Sequence, residues 1–123
     1  MTTALTEEQR ALQEAARRFA RERIAPGYMA REKTGRVDPD LVREMGALGL
    51  IGADLPEEHG GLGAPSVTAG LAIEAVAHAD INVSYVPLLA SLNGQIIARH
   101  ASPELAGEWI PRIVAGEALF CIG

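Results

Sequence analysis

Three helix-start signals spaced along the chain limit what it can fold into. Thr6 with Gln9 three residues later forms a capping box, with Glu7 and Glu8 at the positive end of the helix dipole. Asp38 followed by Pro39 supplies a cap and a first-turn proline whose missing N–H costs nothing. Ser102-Pro103-Glu104 repeats the device. Behind each start, apolar residues recur at helical spacing. They are Leu12, Ala16 and Phe19 on one face of the first helix, Leu41, Met45 and Leu48 expected to face inward in the second, and Leu105, Trp109, Ile110 and Ile113 as the apolar side of the last.

Stops and breaks divide the rest. Pro26-Gly27 is expected to end or kink the first helix near Ile24, although "YMAREK" can carry it on to a stop at Gly35. Gly49 ends the second helix, and "IGADLPEEHGGLGAP" reads as an ordered loop or long turn. Ser66 opens a further helix, with Val67, Leu71 and Val76 roughly along one side, running to about Ala79. In "INVSYVPLLASLNGQIIARH", a proline inside a helix costs about 3 kcal/mol, so propensity puts the start near Val86 or Pro87. A start at Asn82 with an early kink competes with it. Pro111 is expected to bend or shorten the last helix, and Gly116 to finish it. The closing "EALFCIG" reads as the beginning of a strand. A lone strand leaves backbone groups unmatched, so the strand is expected to pair outside this chain, as part of something larger.

Composition excludes several classes. The 123 residues make one domain's worth of chain, enough to bury roughly two-thirds of the unfolded surface. A net charge of −5 with no basic stripe argues against nucleic acid, because Arg17, Arg18, Arg21 and Arg23 share their helix with Glu7, Glu8, Glu14 and Glu22. The single cysteine, Cys121, forbids an internal disulfide and fits a reducing compartment. No apolar run approaches the roughly 18 residues of a membrane span, and the N-terminus lacks a signal-peptide pattern. The expectation is a cytoplasmic, soluble protein.

Candidate chemistry is sparse. Glu74 and His78, four apart on one helical face, offer two metal ligands or a surface contact, with no second ligand pair in view. "HGGLGAP" fits neither phosphate-loop signature, so its glycines read as tight turns or close backbone approaches. Ser66, Ser84, Ser91 and Cys121 have no His and acid arranged for a nucleophile triad. Tyr85, Leu88, Leu89 and Leu92 form an apolar band that is either core or pocket wall.

The segments "LTEEQRALQEAARRFARERIAP", "MGALGLIGADLPEEHGGLGAP" and "SPELAGEWIPRIVAGEALFCIG" resemble the N-terminal helical domain of the acyl-CoA dehydrogenases. The resemblance implies an all-α domain over residues 1–116, an orthogonal bundle of about five helices, with 117–123 starting the first strand of a middle β-domain outside this chain. It implies FAD in the complete enzyme, an acyl-CoA substrate, electron-transferring flavoprotein or a similar acceptor, and a homo-oligomer. The base that removes the α-proton is expected beyond this chain, and no metal is expected. The family's fourth helix lines the acyl pocket, and its matching positions here are Ser84, Tyr85, Leu88, Leu89 and Leu92. Bulky Tyr85 and Leu88 imply a shortened pocket or one suited to a branched or cyclic acyl group. Ile122 and Gly123 fall where the family's strand runs along the flavin. Two other readings stand beside this one, a stand-alone helical interaction module without cofactor and part of a related flavin monooxygenase.

Overall fold

The computed structural model describes residues 4–123, and all regular structure among them is helical. Six α-helices follow in order: α1 Glu7–Phe19, α2 Tyr28–Thr34, α3 Pro39–Ala47, α4 Ser66–Ala79, α5 Ile81–His100 and α6 Pro103–Val114. The link between α1 and α2 is itself helical, so residues 7–34 form one bent rod and the bundle has five rods.

The start signals act as the sequence predicts. Thr6 and Gln9 exchange both capping-box hydrogen bonds, Asp38 accepts from the Asp40 amide, and Ser102 accepts from the Leu105 amide. The rod bends where Pro26 withholds its N–H. A π turn over Ala20–Ile24 and a 3₁₀ turn over Ala25–Gly27 absorb the mismatch, and the chain resumes as α2 until Gly35 adopts φ 66°. The Arg31 guanidinium donates to the Ile24 carbonyl at the bend and to Asp80 at 2.8 Å. A Cβ on Gly27 would lie 2.6 Å from that guanidinium, so the glycine leaves it room. Asp80 also caps α5 by accepting from the Asn82 amide. One buried carboxylate therefore joins the bend of the first rod to the start of α5.

That cap decides the start of α5. The helix begins at Ile81, close to the earlier of the two expected starts, and Pro87 lies inside it, fully buried. Tertiary packing overrides the propensity argument here. Pro111 is likewise carried within α6.

Three residues expected on apolar helix faces are exposed in the structure. Leu48 is 49 % exposed because it is the residue after the last turn of α3. Gly49, at φ 74°, reverses the chain, and Leu50 becomes the residue that packs inward. Its amide donates to the Met45 carbonyl while that of Gly49 donates to Gly46, a Schellman closure. Val67 is exposed because α4 buries Thr68, Ala69, Ala72, Ala75 and Val76 instead. Leu105 is exposed because the inward stripe of α6 is Ala106, Ile110 and Ile113. The core otherwise gathers Phe19, Ile24, Met45, Leu50, Ile51, Leu55, Val76, Val83 and Ile110 from every rod and from the loop after α3.

That loop is ordered, as its glycines suggest. Leu55 is fully buried in a socket walled by glycines, and a Cβ on Gly94 would lie 2.6 Å from its Cδ1. A Cβ on Gly61 would collide with the Leu55 carbonyl, which is the close backbone approach expected of "HGGLGAP". Asp54 ties the loop to α5, accepting from Ser91 at 2.8 Å and, through its backbone carbonyl, from Gln95 at 2.7 Å.

After α6, Gly116 at φ 76° ends the helix with a second Schellman closure, and residues 117–123 form an arm. No strand forms in the arm, because a strand is defined by pairing and no partner strand lies among the described residues.

Candidate functional site

The feature that needs a functional account is α5. Its inward stripe is Val83, Val86, Ala90 and Asn93, and all four are buried. A second stripe on its outer side is also apolar: Ile81, Tyr85, Leu88, Leu92 and Ile96, each between 41 % and 59 % exposed. A helix apolar on both sides is built to be covered on both sides.

Beside this helix, the arm and α6 border a partly open apolar cavity of about 100 Å³. Its walls are Tyr85, Val86, Leu89 and Ala90 of α5, Ile113 of α6, and arm residues 118–121. Several contacts hold the arm in place. The Ala118 and Glu117 amides both donate to the Arg112 carbonyl, at 3.1 and 2.9 Å. Phe120 meets Trp109 edge-to-face at 5.3 Å, with the Arg112 guanidinium 4.5 Å over the same indole. The Asn93 amide donates to the Phe120 carbonyl at 2.6 Å.

The candidate residues named from the sequence therefore separate. Tyr85 and Leu89 share the cavity wall. Leu88 and Leu92 lie on the outer stripe of the same helix. Ser84 is buried, 4 % exposed, and its hydroxyl donates to the Ile81 carbonyl at 2.6 Å, so it faces neither the cavity nor the outer stripe. Ile122 is 65 % exposed and Gly123 is open, both past the last point at which the arm is held.

Sequence reasoning missed Asn93, the Asp54 pair to Ser91 and Gln95, and the Arg31–Asp80 ion pair. The first had a signal, a lone amide continuing the Val86–Ala90 stripe. The others join residues 37 to 49 positions apart and leave no local trace.

The remaining candidates stay separate. Glu74 and His78 rim an open groove with Arg17 and Arg21 between α1 and α4, and no hydrogen bond joins them. No group of three His, Cys, Asp or Glu side chains gathers among the described residues, and no Ser–His or Cys–His hydrogen bond forms there. No helix among them is long and apolar enough to cross a membrane.

Fold and site together define a helical domain that supplies an apolar wall and an anchored arm. The chain belongs to the acyl-CoA dehydrogenase family: residues 6–117 match the family model for the acyl-CoA dehydrogenase N-terminal domain. It is 32 % identical over 116 residues to an acyl-CoA dehydrogenase of Bacillus subtilis (strain 168), covering 94 % of this chain and 31 % of that protein. A chain in the solved structure of the electron transferring flavoprotein of Acidaminococcus fermentans superposes with a TM-score of 0.89 at 28 % identity, covering 97 % of this chain and 32 % of that one. A glutaryl-CoA dehydrogenase from Mycobacterium smegmatis, solved in complex with FADH2, superposes with a TM-score of 0.85 at 28 % identity, covering 94 % of this chain and 30 % of its own. The chain spans a quarter to a third of the length of the curated relatives it matches.

Proposed function

We propose that this chain is the helical N-terminal part of a flavin-dependent acyl-CoA dehydrogenase and forms one wall of its acyl pocket. The observation that carries this reading is the second apolar stripe on α5, which at Tyr85 meets an apolar cavity also lined by Leu89. An acyl chain has no hydrogen bonds to satisfy, so a wall of leucines and a tyrosine face suits it. Tyr85 and Leu88 are bulky for such a wall, which favours a short, branched or cyclic acyl group.

FAD, when bound, supplies the hydride acceptor for α,β-dehydrogenation. Ile122 and Gly123, at the exposed end of the arm, run along the flavin in this reading. In this reading residues 117–123 open a strand of a β-domain. In support, no hydrogen bond is made among the described residues beyond Phe120. The proposal extends to an electron-transferring flavoprotein as acceptor, to a homo-oligomer whose packing covers part of the outer stripe, and to a cytoplasmic setting.

The test is anaerobic titration of the full-length flavoprotein with acyl-CoA thioesters of graded length and branching. Bleaching of the oxidised flavin by a subset of them is the expected result. A protein that purifies without flavin, or whose flavin no acyl-CoA reduces, overturns the reading. Oxygen consumption by pre-reduced flavin that inserts oxygen into substrate would assign the monooxygenase instead.

A further inference from the structure

We infer that Asn93 is a positioning residue whose amide sets where the C-terminal arm leaves the helical body. The argument begins with what is unusual about it. Asn93 continues the inward stripe of α5 after Val86 and Ala90, where an apolar residue would pack without penalty. Asparagine is a poor former of helix interiors, and an amide is costly to bury without partners. It is nevertheless 5 % exposed, and its Nδ2 spends its hydrogen bond on a carbonyl outside every helix, that of Phe120 at 2.6 Å. A residue that breaks two local rules and meets one distant backbone group marks a position chosen for that contact.

The place of the contact gives it consequence. Backbone closure to Arg112 ends at Ala118, and the Asn93 bond at Phe120 is the last hydrogen bond along the arm among the described residues. Phe120 is also where the arm walls the cavity, with Leu119 and Cys121 on either side. Asn93 thus fixes the cavity wall and the direction in which residues 121–123 project. The inference rests on the proposed function only where it carries the arm on to the flavin.

The test compares Asn93→Leu, which keeps the shape and removes the donor, with Ser91→Ala, which breaks a different half-buried hydrogen bond of the same helix to Asp54. Both are made in the full-length protein, and amide hydrogen exchange is followed across α5, α6 and the arm, where the Glu117 and Ala118 amides donate to the Arg112 carbonyl. Losing one such hydrogen bond is expected to speed exchange about tenfold in the arm alone for Asn93→Leu, and to leave the arm unchanged for Ser91→Ala. Asn93→Ala, which removes the donor without risk of overpacking, is expected to match Asn93→Leu and serves where leucine prevents folding. Unchanged arm exchange in the variant that folds, or an equal rise through α5 and α6, overturns the inference. Flavin release is the second readout, and a severalfold faster release in Asn93→Leu than in Ser91→Ala is expected. An arm that loosens with no change in flavin release keeps the positioning role and removes its link to the cofactor. A protein that binds no flavin removes the proposed function and leaves the exchange result standing.

Discussion

Replacing Gly46 by alanine tests how closely α3 and α6 approach. On helix propensity alone the change is favourable, since alanine in a helix interior is about 1 kcal/mol better than glycine. The packing opposes it. A Cβ at Gly46 would sit 2.9 Å from the Gly116 amide nitrogen and closer still to the carbonyl of Ala115. These are backbone atoms at a helix end that two Schellman hydrogen bonds hold, from Gly116 to Ile113 at 3.0 Å and from Glu117 to Arg112 at 2.9 Å. No side chain can rotate away, so α3 must move from α6 by a good fraction of an ångström or the closure must open. Overpacking of this kind costs about 1–3 kcal/mol and sometimes more, which outweighs the propensity gain. Gly70 in α4 and Gly107 in α6 supply the control, because a Cβ at either meets nothing within 4 Å. Each should gain about 1 kcal/mol as alanine. In equilibrium urea unfolding, with a slope of roughly 1–3 kcal/mol per molar, the Gly70→Ala and Gly107→Ala midpoints should rise by about 0.5 M and that of Gly46→Ala should fall by a similar amount or more. A Gly46→Ala midpoint that rises with the controls would mean the helices do not approach as described.

Other expectations follow from single contacts. Asp80→Ala leaves the Arg31 guanidinium without its carboxylate and α5 without its cap, so a loss of about 3–5 kcal/mol is expected in urea unfolding. Asp80→Asn, which keeps the cap, should lose about 1 kcal/mol less. Glu44 is held below its ordinary 4.5 by its hydrogen bond to Arg23, aided by charge and opposed by desolvation. A depressed carboxylate contributes stability above its unfolded value and loses it as pH falls through the folded value, so unfolding midpoints should decline from about pH 4.5 downward, less so in high salt, and the decline should be slightly shallower in Glu44→Gln. Tyr85→Ala should shift acyl-CoA preference toward longer chains, with kcat/KM for a substrate one or two methylenes longer rising about tenfold relative to the preferred one. An unchanged profile removes Tyr85 from the pocket.

What was legible in the sequence is what is decided locally. Thr6–Gln9, Asp38-Pro39 and Ser102-Pro103 each settle a helix start within four residues, and Gly35, Gly49 and Gly116 each settle an end by adopting a positive φ. Errors arose where a pattern ran past its element. Leu48 follows α3 and Val67 and Leu105 sit in first turns, where one residue of slippage turns a side chain by about 100°. The alanine face of α4 is hard to read from sequence because small residues carry little apolar area each. They are nonetheless what lets helices pack closely, and Ala69, Ala72 and Ala75 are all buried. The start of α5 is masked by Pro87, whose burial inside the helix is decided by tertiary packing, although the Asp80 cap itself is local to the Asn82 amide.

The candidate site was half legible for a related reason. Spacing reveals that Tyr85, Leu88, Leu89 and Leu92 share a region of one helix, but a helix apolar on both sides does not announce which side its own domain covers. The contacts decide it. The inner side is fixed by Val83, Val86 and Ala90 against α4 and α6, and Ser84 is drawn under by its bond to the Ile81 carbonyl. The outer side keeps Ile81, Tyr85, Leu88, Leu92 and Ile96, none of which contributes to the helical core. Stability of this domain therefore cannot account for those five residues. Tyr85 is the one residue of that stripe that also lines the cavity, beside Val86, Leu89 and Ala90, so it is where the open side of α5 meets the arm.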